Sequence, residues 1–525
     1  MGRWVAFVLM LAALSPAAAQ GEQAQPTRGG TLVFGVNTGD PPTYDCHQSV
    51  LFSIIHLLTP HYSNLLKIDM PHYPKIVGDL AESWTVADDA RTYTFKLHGG
   101  VKFHDGSAFS SEDVKATYER IRNPPQGVTS VRRALLADVD TIETPDPLTV
   151  IFRLKQPNRA LIYAFANPFN CVYSAAKLKE NPLYPARNVM GTGPFRFVEH
   201  VAGSHWVGER FKDYFKPGLP YLDGFRGIFT LGPTQMNALQ SGQTMADFRS
   251  VTTADRDRLK SALGDKIVVH EGPWLDVTLV TFNTQKKPFD DPRVRRALSL
   301  AIDRWKAAEV LPRSSIMKYA GGYMRPGSAL AAREEDLVRM PGFSRDIAAS
   351  RAEAKRLLAE AGVPNLKVRL LNRTIANLFT PAGIYIIDQW RQIGVEVEHV
   401  QANETLYNNA MNDGTFDAAL DFQGDSVDEP TYQFARHLSV DLSSNRGKYT
   451  DRELDRLFDA QKDLTDPEAR YKAVRAFENR MLTEAYTVPL LWWQRIVVIR
   501  ANVKGWSMSP SHLIGQDLET VWLKP

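Results

Sequence analysis

Cysteine is the scarcest informative residue in this chain of 525 residues, with only Cys46 and Cys171 present. A fold held together mainly by disulfides is therefore excluded. In an oxidising compartment the two cysteines can form one bridge, and otherwise both are buried thiols. The sequence leaves these two alternatives open, because it does not show whether the two sulfur atoms approach bonding distance.

Long hydrophobic runs are also missing, since no apolar segment reaches the roughly 20 residues that a membrane-spanning helix needs. Residues 1–19 have the pattern of a secretory signal peptide. Arg3 supplies the positive end, residues 4–14 are apolar, and Ala17 to Ala19 form a small-residue cleavage site. We predict cleavage before Gln20 and an exported, periplasmic protein that does not span the membrane; an uncleaved anchor is the alternative.

A strong excess of one charge is absent too. The formal net charge is +3, and 23% of the residues are charged without a long run of one sign. This balance gives no indication of nucleic-acid binding. The His-Glu-x-x-His and Gly-x-Ser-x-Gly motifs do not occur, and the 12 histidines are scattered along the chain. We predict neither a preformed metal site nor a cofactor.

Two short motifs admit a catalytic interpretation that their context disfavours. Residues 191–194, Gly-Thr-Gly-Pro, lack the following Lys-Ser/Thr of a phosphate-binding loop, so a turn is the better prediction. Residues 424–426, Gly-Asp-Ser, match the nucleophile motif of a hydrolase family that carries it near the N-terminus. That family also needs an Asp three residues before its terminal His, whereas Ser509 stands there before His512. We therefore predict that the protein is not an enzyme.

The secondary-structure signals favour an α/β protein with more than one core. Residues 92–97 alternate as in a half-buried strand, Gly99-Gly100 marks a turn, and Val101 with Phe103 resumes the alternation, so we predict a hairpin there. Ser110 and Asp113 have capping-box spacing at the start of a helix. Later, strands are predicted at 31–36, 278–284, 366–371, 395–400, 416–422 and 490–499, and helices starting at Asp291-Pro292, Ser350 and Asp466-Pro467.

Four blocks of sequence together resemble one family, the peptide-type solute-binding receptors of bacterial ABC importers, also called extracellular solute-binding proteins of family 5. The blocks are residues 73–121, residues 191–195 (Gly-Thr-Gly-Pro-Phe), residues 282–304 (with Pro-Phe-Asp-Asp-Pro-Arg-Val-Arg-Arg-Ala) and residues 354–362 (Ala-Lys-Arg-Leu-Leu-Ala-Glu-Ala-Gly). They stand in the family's order, and the resemblance covers nearly the whole mature chain.

The resemblance implies the α/β fold of a two-lobed periplasmic binding protein (type II, cluster C), with an extra subdomain in the first lobe. The implied division is a disordered N-terminus at 20–30, lobe I at 31–281 plus 496–525 with its subdomain at about 66–197, and lobe II at 282–495. The chain would cross between the lobes near Phe282 and again near residues 493–498. A hinge with two crossings allows the lobes to close over a ligand.

The implied function is capture of a small polar ligand by lobe closure and its delivery to an ABC permease with its ATPase subunits. A di- or oligopeptide is the leading ligand, and a monomer is expected. Opines, oligosaccharides, haem and nickel chelates are alternative ligands within the family. A sensory binding protein without a transport partner is a further alternative.

The resemblance also carries over two charged residues. Gly424-Asp425 matches the Gly-Asp-x-x-Asp-Pro segment of dipeptide-binding members, which assigns the ligand's ammonium to Asp425. Phe422 and the inserted Glu429 depart from that pattern. Arg373 stands 17 residues before Trp390, as the carboxylate-binding Arg of dipeptide receptors does. Surface positions for Asp425 and Arg373 are the alternative interpretation.

Six further residues are weaker candidates for the ligand site. Ser49 and Val50 fall where the first lobe of such receptors lends backbone groups to a ligand. Four tryptophans can wall a pocket or fill a core, and the sequence does not separate these roles; they are Trp274, Trp390, Trp492 and Trp493.

Overall fold

The computed structural model of the protein describes residues 25–230, 232–439 and 445–525. In these ranges the strands are β1 Thr31–Val36, β2 Leu66–Ile68, β3 Ile76–Gly78, β4 Ala81–Val86, β5 Thr92–Leu97, β6 Val139–Asp146, β7 Thr149–Leu154, β8 Phe195–Val201, β9 His205–Arg210, β10 Gly224–Phe229, β11 Ala246–Asp247, β12 Ile267–Phe282, β13 Met317–Tyr319, β14 Lys367–Arg373, β15 Glu396–Ala402, β16 Ala418–Gly424, β17 Thr487–Arg500, β18 Val503–Lys504 and β19 Trp522–Leu523.

The α-helices of the same ranges are α1 Phe52–Leu58, α2 Ser111–Arg122, α3 Leu161–Phe165, α4 Ala175–Glu180, α5 Pro233–Ser241, α6 Thr253–Leu263, α7 Pro292–Leu300, α8 Arg304–Val310, α9 Glu334–Leu337, α10 Ile347–Glu360, α11 Phe379–Arg391, α12 Glu404–Asp413, α13 Pro430–Ala435, α14 Arg452–Lys462 and α15 Pro467–Glu484. Within the described ranges, no helix combines the length and the apolar character that crossing a bilayer requires. The predicted signal peptide lies outside the described residues.

One eleven-stranded sheet connects the two lobes, which keep the names lobe I and lobe II of the predicted division. Its order is β15-β14-β16-β12-β17-β11-β1-β10-β9-β8, with β13 also paired to β17. The first part of β12 pairs with the end of β17 in lobe I, and its last part pairs with the start of β17 and with β16 in lobe II. The β12–β17 register shifts between Pro273 and Val277 and again between Val277 and Leu279. A register irregularity bends a strand pair.

Lobe I combines the central strands with an accessory unit. A separate antiparallel sheet, β4-β5-β7-β6, packs its apolar face against α2. Aromatic rings fill the space between them; Phe165, for example, lies 4.7 Å from the Phe152 ring centre and 4.8 Å from that of Phe95. The subdomain therefore has a core of its own.

The predicted hairpin at Gly99-Gly100 is wrong. The strand β5 forms as predicted, but its two neighbours are β4 and β7, so both of its edges are occupied. Residues 101–103 form a loop whose only ladder contact in the described chain is a bridge from Lys102 to Ala108. Val101 and Phe103 are nevertheless buried, which explains the apolar alternation that suggested a strand.

The chain before β1 is held by hydrogen bonds over its described part. The Thr27 hydroxyl donates to the Leu523 carbonyl at 2.7 Å, and Gly29 N–H donates to the Tyr221 carbonyl at 2.9 Å. Residues 25–30, which were expected to be disordered, thus pack against the C-terminal strand and the segment before β10.

Helix starts in lobe II follow their capping chemistry. Asp291 accepts from Arg293 N–H ahead of Pro292, and Asp466 accepts from Ala469 N–H ahead of Pro467, as predicted. The prediction of a start at Ser350 is wrong. The helix α10 begins at Ile347 because Asp346 caps it, and the Ser350 hydroxyl donates to the Asp346 carbonyl instead.

Cys46 and Cys171 form a disulfide across 125 residues of chain. The bridge ties the segment before α1 to the accessory subdomain inside the core of lobe I. Of the two alternatives that the sequence left open, the structure has the bridge.

Candidate ligand-binding site between the lobes

A chain of aromatic contacts crosses from lobe I to lobe II at the bulge in β12 and β17. Phe52 of α1 faces His512, and His512 faces Trp274, with ring centres 6.0 and 5.2 Å apart. Trp274 then meets Trp493 edge-on at 5.6 Å, and Trp493 stacks on Phe422 at 5.6 Å and 24°. We call the stacked pair Trp493 and Phe422 the aromatic floor. Phe422 is 36% exposed, so the floor is accessible to solvent on the lobe II side.

Two carboxylates lie beside this floor. Asp276 of β12 pairs directly with Gly424 at the end of β16, and its side chain crosses over that residue. A Cβ at position 424 would lie 1.8 Å from Asp276 Oδ1, so only glycine fits there. Asp425 follows at once and is half-buried. Glycine at position 424 is therefore explained by packing, because it leaves room for the Asp276 side chain next to Asp425.

Burial raises the pKa of both carboxyl groups. The pKa of Asp276 rises to about 7, with Arg249 and Arg495 opposing the shift and Asp425 adding to it. Burial raises the pKa of Asp425 to about 6, although Ser426 N–H donates to Asp425 Oδ1 at 2.6 Å. No Lys, Arg or His in the described part of the chain comes within 4 Å of either carboxylate. Neither carboxylate therefore has a direct ion-pair partner in the described ranges, although Arg249 and Arg495 are close enough to lower the pKa of Asp276.

Arg373, at the end of β14, is buried with 5% of its side chain exposed. Its guanidinium carbon lies 4.0 Å from the Phe379 ring centre, 4.3 Å from that of Tyr407 and 5.0 Å from that of Phe422. Its nearest carboxylates, Glu404 and Asp421, are both at 3.7 Å. Nε and Nη2 have no hydrogen-bond partner among the described residues. A buried arginine with free donors is suited to an anionic ligand group.

Asp421 lies between three arginines. Arg436 Nη2 is 3.4 Å and Arg446 Nε 3.8 Å from its Oδ2, in addition to the contact from Arg373. Arg436 and Arg446 keep 25% and 27% of their side chains exposed, whereas Asp421 keeps 6%. We call Arg373, Asp421, Arg436 and Arg446 the arginine cluster. It carries more positive than negative charge and is reachable from solvent.

Ser49 and Val50 lie in a loop that precedes Phe52 and its aromatic contacts. Ser49 is buried; its hydroxyl accepts from Leu51 N–H at 3.0 Å, and its carbonyl accepts from Arg132 at 2.8 Å. Val50 is 64% exposed. The structure brings this loop to the lobe I end of the aromatic chain, with Val50 free for contact and the backbone of Ser49 already anchored.

All four tryptophans are buried, and Trp274, Trp390 and Trp493 belong to the same hydrophobic core. Trp390 is fully buried, donates to the Leu298 carbonyl at 2.9 Å and lies against Phe282, so it fills the lobe II core rather than the cleft. Trp492 is also buried, and its Nε1 donates to the Gly322 carbonyl. Trp274 and Trp493 belong to the aromatic chain. Trp493 is held in orientation by a 2.8 Å bond from Nε1 to the Thr278 hydroxyl.

The segment after Asp425 joins the lobes directly. Arg325 of lobe II donates two hydrogen bonds to the Asp428 carboxylate, from Nε at 3.0 Å and from Nη2 at 2.6 Å. The same carboxylate accepts from the Tyr73 hydroxyl of lobe I at 2.9 Å, and Tyr73 accepts in turn from Asp428 N–H at 3.0 Å. Ser511 of lobe I donates to the Asp425 carbonyl at 2.9 Å. The lobes are thus in contact next to the two carboxylates.

Sequence reasoning missed Asp276, Asp421, Arg436 and Arg446. The two acids carried a usable signal, because each interrupts an apolar strand, as Leu275-Asp276-Val277 and Leu420-Asp421-Phe422. A charge inside a buried strand is rare unless it is paired or functional. The two arginines lie in irregular sequence with no periodic pattern, and only the fold brings them to Asp421.

Comparison with known proteins agrees with this architecture. The family model described as "Bacterial extracellular solute-binding proteins, family 5 Middle" matches residues 75–444. The glutathione-binding protein GsiB of Pectobacterium atrosepticum is 33% identical over 295 residues, which are 55% of this chain and 54% of that protein. The matched region thus spans about half the length of this curated relative.

Solved structures match over nearly the full chain. The binding protein AgaA from A.tumefacien R10, in complex with agropinic acid, is 27% identical with a TM-score of 0.80, covering 94% of this chain and 99% of that one. DppA from Helicobacter pylori, in complex with the peptide STSA, has a TM-score of 0.79 at 22% identity and covers 95% and 99%. The predicted two-lobed fold is confirmed, as is the predicted family, whose members are solute-binding proteins and not enzymes.

Proposed function

Because the chain belongs to the bacterial extracellular solute-binding proteins of family 5, we propose that it is the exported receptor of an ABC importer. It captures a small peptide-like ligand between its lobes and presents it to a permease with its ATPase subunits. The ligand binds the closed form better than the open form and so shifts the population toward closure. The bulge between Pro273 and Val277 in β12, with the facing residues of β17, is the proposed hinge.

The proposal rests on opposite charges near the two ends of the segment from Asp421 to Asp425. Asp425 and Asp276 take the ligand's ammonium, and Arg373 takes its carboxylate. Asp421, beside Arg373, stands four residues before Asp425, or roughly 13 Å along extended chain. A peptide spans at most about 3.5 Å per residue, so a short peptide can extend along this segment. The aromatic floor from Trp493 to Phe422 supplies apolar contact between the charged ends.

The test is calorimetric titration of peptides into the purified receptor, after native mass spectrometry has identified any ligand that copurifies. Asp425→Asn and Arg373→Gln each leave a ligand charge buried and unpaired, so each should weaken binding about 100-fold or more. Asp413→Asn and Arg369→Gln are exposed matched controls and should leave affinity unchanged. Wild-type affinity in both site variants would contradict the proposal.

An acidic opine is a second candidate ligand. The specific observation in its favour is AgaA, which matches 94% of this chain and whose structure contains agropinic acid. Titration of agropinic acid beside the peptides separates the two candidates, since the preferred ligand should bind in the micromolar range or better and the other should not.

A further inference from the structure

His512 of lobe I uses one ring nitrogen and leaves the other free. The indole N–H of Trp274 donates to His512 Nδ1 at 3.1 Å. An indole nitrogen only donates, so Nδ1 is the acceptor and the proton of the neutral imidazole is on Nε2. No group in the described ranges accepts a hydrogen bond from Nε2, and the His512 side chain is only partly buried. The ring therefore presents an N–H donor without a protein partner.

Two contacts place this donor next to the two carboxylates of the site. Trp274, which holds the His512 ring, stands two residues before Asp276 on β12. Ser511, the residue before His512, donates to the Asp425 carbonyl at 2.9 Å. The imidazole is thus held next to both chain segments that carry the carboxylates, on the lobe I side.

We propose that His512 is a ligand-binding residue, whose Nε2–H donates to the first carbonyl oxygen of a peptide beside the ammonium group that Asp276 and Asp425 hold. The inference rests on the proposed function, which places the ammonium there. It narrows the cargo to ligands in which a free amino group is followed by an amide carbonyl. A ligand with a free carboxylate at that position is disfavoured.

The surroundings of the ring keep it uncharged. Burial lowers the pKa of His512 well below its ordinary value, and Arg249, Arg495 and His56 lower it further. Arg249 stacks on Phe52, whose ring also faces His512, with its guanidinium carbon 4.2 Å from the Phe52 ring centre. At neutral pH the Nε2–H group is therefore an uncharged donor, which forms an ordinary hydrogen bond with an amide carbonyl.

The charges on the lobe I side of the site favour one ligand cation and no adjacent anion. Five charged groups interact there: Asp247, Asp276, Asp425, Arg249 and Arg495. Three carboxylates and two guanidiniums leave one negative charge, which the ligand's ammonium neutralises. Arg436, which also acts on Asp425, has Asp421 as its hydrogen-bond partner. A carboxylate beside the ammonium would leave a negative charge unpaired, whereas a carbonyl oxygen adds none.

The experiment compares three small amines as probes of the ammonium and carbonyl positions. Alaninamide has an ammonium next to an amide carbonyl, isopropylamine lacks the carbonyl, and alanine has a carboxylate in its place. The shift in unfolding temperature with probe concentration gives the affinity of the wild-type protein for each amine near neutral pH. Alaninamide should bind about three- to tenfold more tightly than isopropylamine, because it gains one hydrogen bond, and more tightly than alanine.

Three variants show whether His512 causes this preference. His512→Phe keeps a ring and loses both nitrogens, so it should bind alaninamide and isopropylamine equally. His512→Gln has a side-chain amide that can accept from Trp274 and donate to the ligand, so it should keep part of the preference. His270→Phe replaces another partly buried histidine of lobe I and should keep all of it.

Nitrogen NMR of the isotope-labelled wild type decides if His512→Phe does not fold. The His512 signals, assigned by their absence in His512→Gln, should show the proton on Nε2 in the ligand-free protein. Alaninamide should shift the Nε2 signal more than isopropylamine does. A proton on Nδ1, or equal shifts with the two amines, would overturn the inference.

The outcomes separate the inference from the proposed function. An undiminished preference for alaninamide in His512→Phe would overturn the role of His512 and leave the peptide receptor standing. Tighter binding of alanine than of alaninamide would overturn the carbonyl acceptor. If no peptide binds in the titrations above but His512→Phe abolishes the alaninamide preference, the subsite stands and the peptide cargo falls. If none of the three amines changes the unfolding temperature, the inference is overturned.

Discussion

Two buried aspartates, Asp45 in lobe I and Asp421 in lobe II, have opposite surroundings. Asp45 accepts from five groups: both terminal nitrogens of Arg120, His47 N–H at 3.0 Å, the Tyr173 hydroxyl at 3.2 Å and Gln48 Nε2 at 2.9 Å. Asp421 is close to three arginines, but only one of them reaches it within hydrogen-bond distance. Both acids are almost completely enclosed.

The two aspartates differ in how completely their oxygens are satisfied by hydrogen bonds. Around Asp45, every oxygen is satisfied, and the neighbouring Arg132 anchors the Cys46 and Ser49 carbonyls. Around Asp421, donors outnumber acceptors, and at Asp276 and Asp425 the carboxylates have no cation within 4 Å in the described chain. Buried carboxylates without a paired cation are stabilised by protonation, and a ligand cation, as proposed above, would stabilise their charged form.

Breaking the ion pair between Arg120 and Asp45 gives the largest expected loss of stability. Arg120→Ala leaves Asp45 buried without its cation, which should lower the free energy of unfolding by about 3–5 kcal/mol in urea titrations. Arg446→Ala, at the partly exposed cluster, should change it by no more than about 1 kcal/mol. Equal losses in the two variants would remove the distinction between the regions.

The disulfide beside Asp45 should matter nearly as much. Replacing Cys46 and Cys171 together by Ser releases a loop of 125 residues, and the free energy of unfolding should fall by about 2–5 kcal/mol. Thermal unfolding with and without reductant measures this. Reductant should destabilise the wild type and leave the double variant unchanged; an unchanged wild type would show that the bridge adds no stability.

The unpaired acids predict a dependence of stability on pH. The pKa values of Asp276 and Asp425 are raised by burial to about 7 and about 6, so the folded protein binds more protons than the unfolded chain above pH 4. Their contribution is fully present below the unfolded pKa near 3.9 and is lost as the pH rises through 6 to 7.

The variant Asp276→Asn tests whether stability falls as the pH rises because of this carboxylate. It removes the buried charge, so at pH 8 the ligand-free protein should gain roughly 1–3 kcal/mol in free energy of unfolding, and the slope between pH 5 and 8 should become flatter. Its affinity for a ligand with a free ammonium should fall at the same time. A variant with the wild-type slope would show that Asp276 is not the titrating group.

The contact between the lobes predicts the smallest effect. Tyr73→Phe removes a hydroxyl that both donates to and accepts from Asp428, which should favour the open form by about 0.5–1.5 kcal/mol and weaken ligand binding two- to tenfold. Small-angle scattering should show a larger radius of gyration without ligand. Tyr44→Phe loses a comparable 2.7 Å bond to His200 within lobe I and should not affect affinity.

Local chemistry explains which elements could be predicted. The helix starts at Asp291 and Asp466 follow from a cap and a proline in adjacent positions, and they are as predicted. The hairpin after Gly99 fails because a strand 50 residues later occupies the edge of β5, which no local pattern can reveal. At the site, Asp425 and Arg373 could be identified from the family resemblance. Asp276 could not, because its position depends on its register with Gly424 across the sheet.

The sequence by itself determined the family, the two-lobed α/β fold and the caps and strands that residues a few positions apart specify. Only the tertiary structure decided which charges are satisfied. Asp45 and Asp421 look alike in sequence, because each stands between two uncharged neighbours. They differ because Asp45 meets its donors at hydrogen-bond distance, while three arginines surround Asp421 and only Arg436 comes within hydrogen-bond distance. Pairing of charges depends on distances between chain segments far apart in sequence, and the fold alone sets those distances.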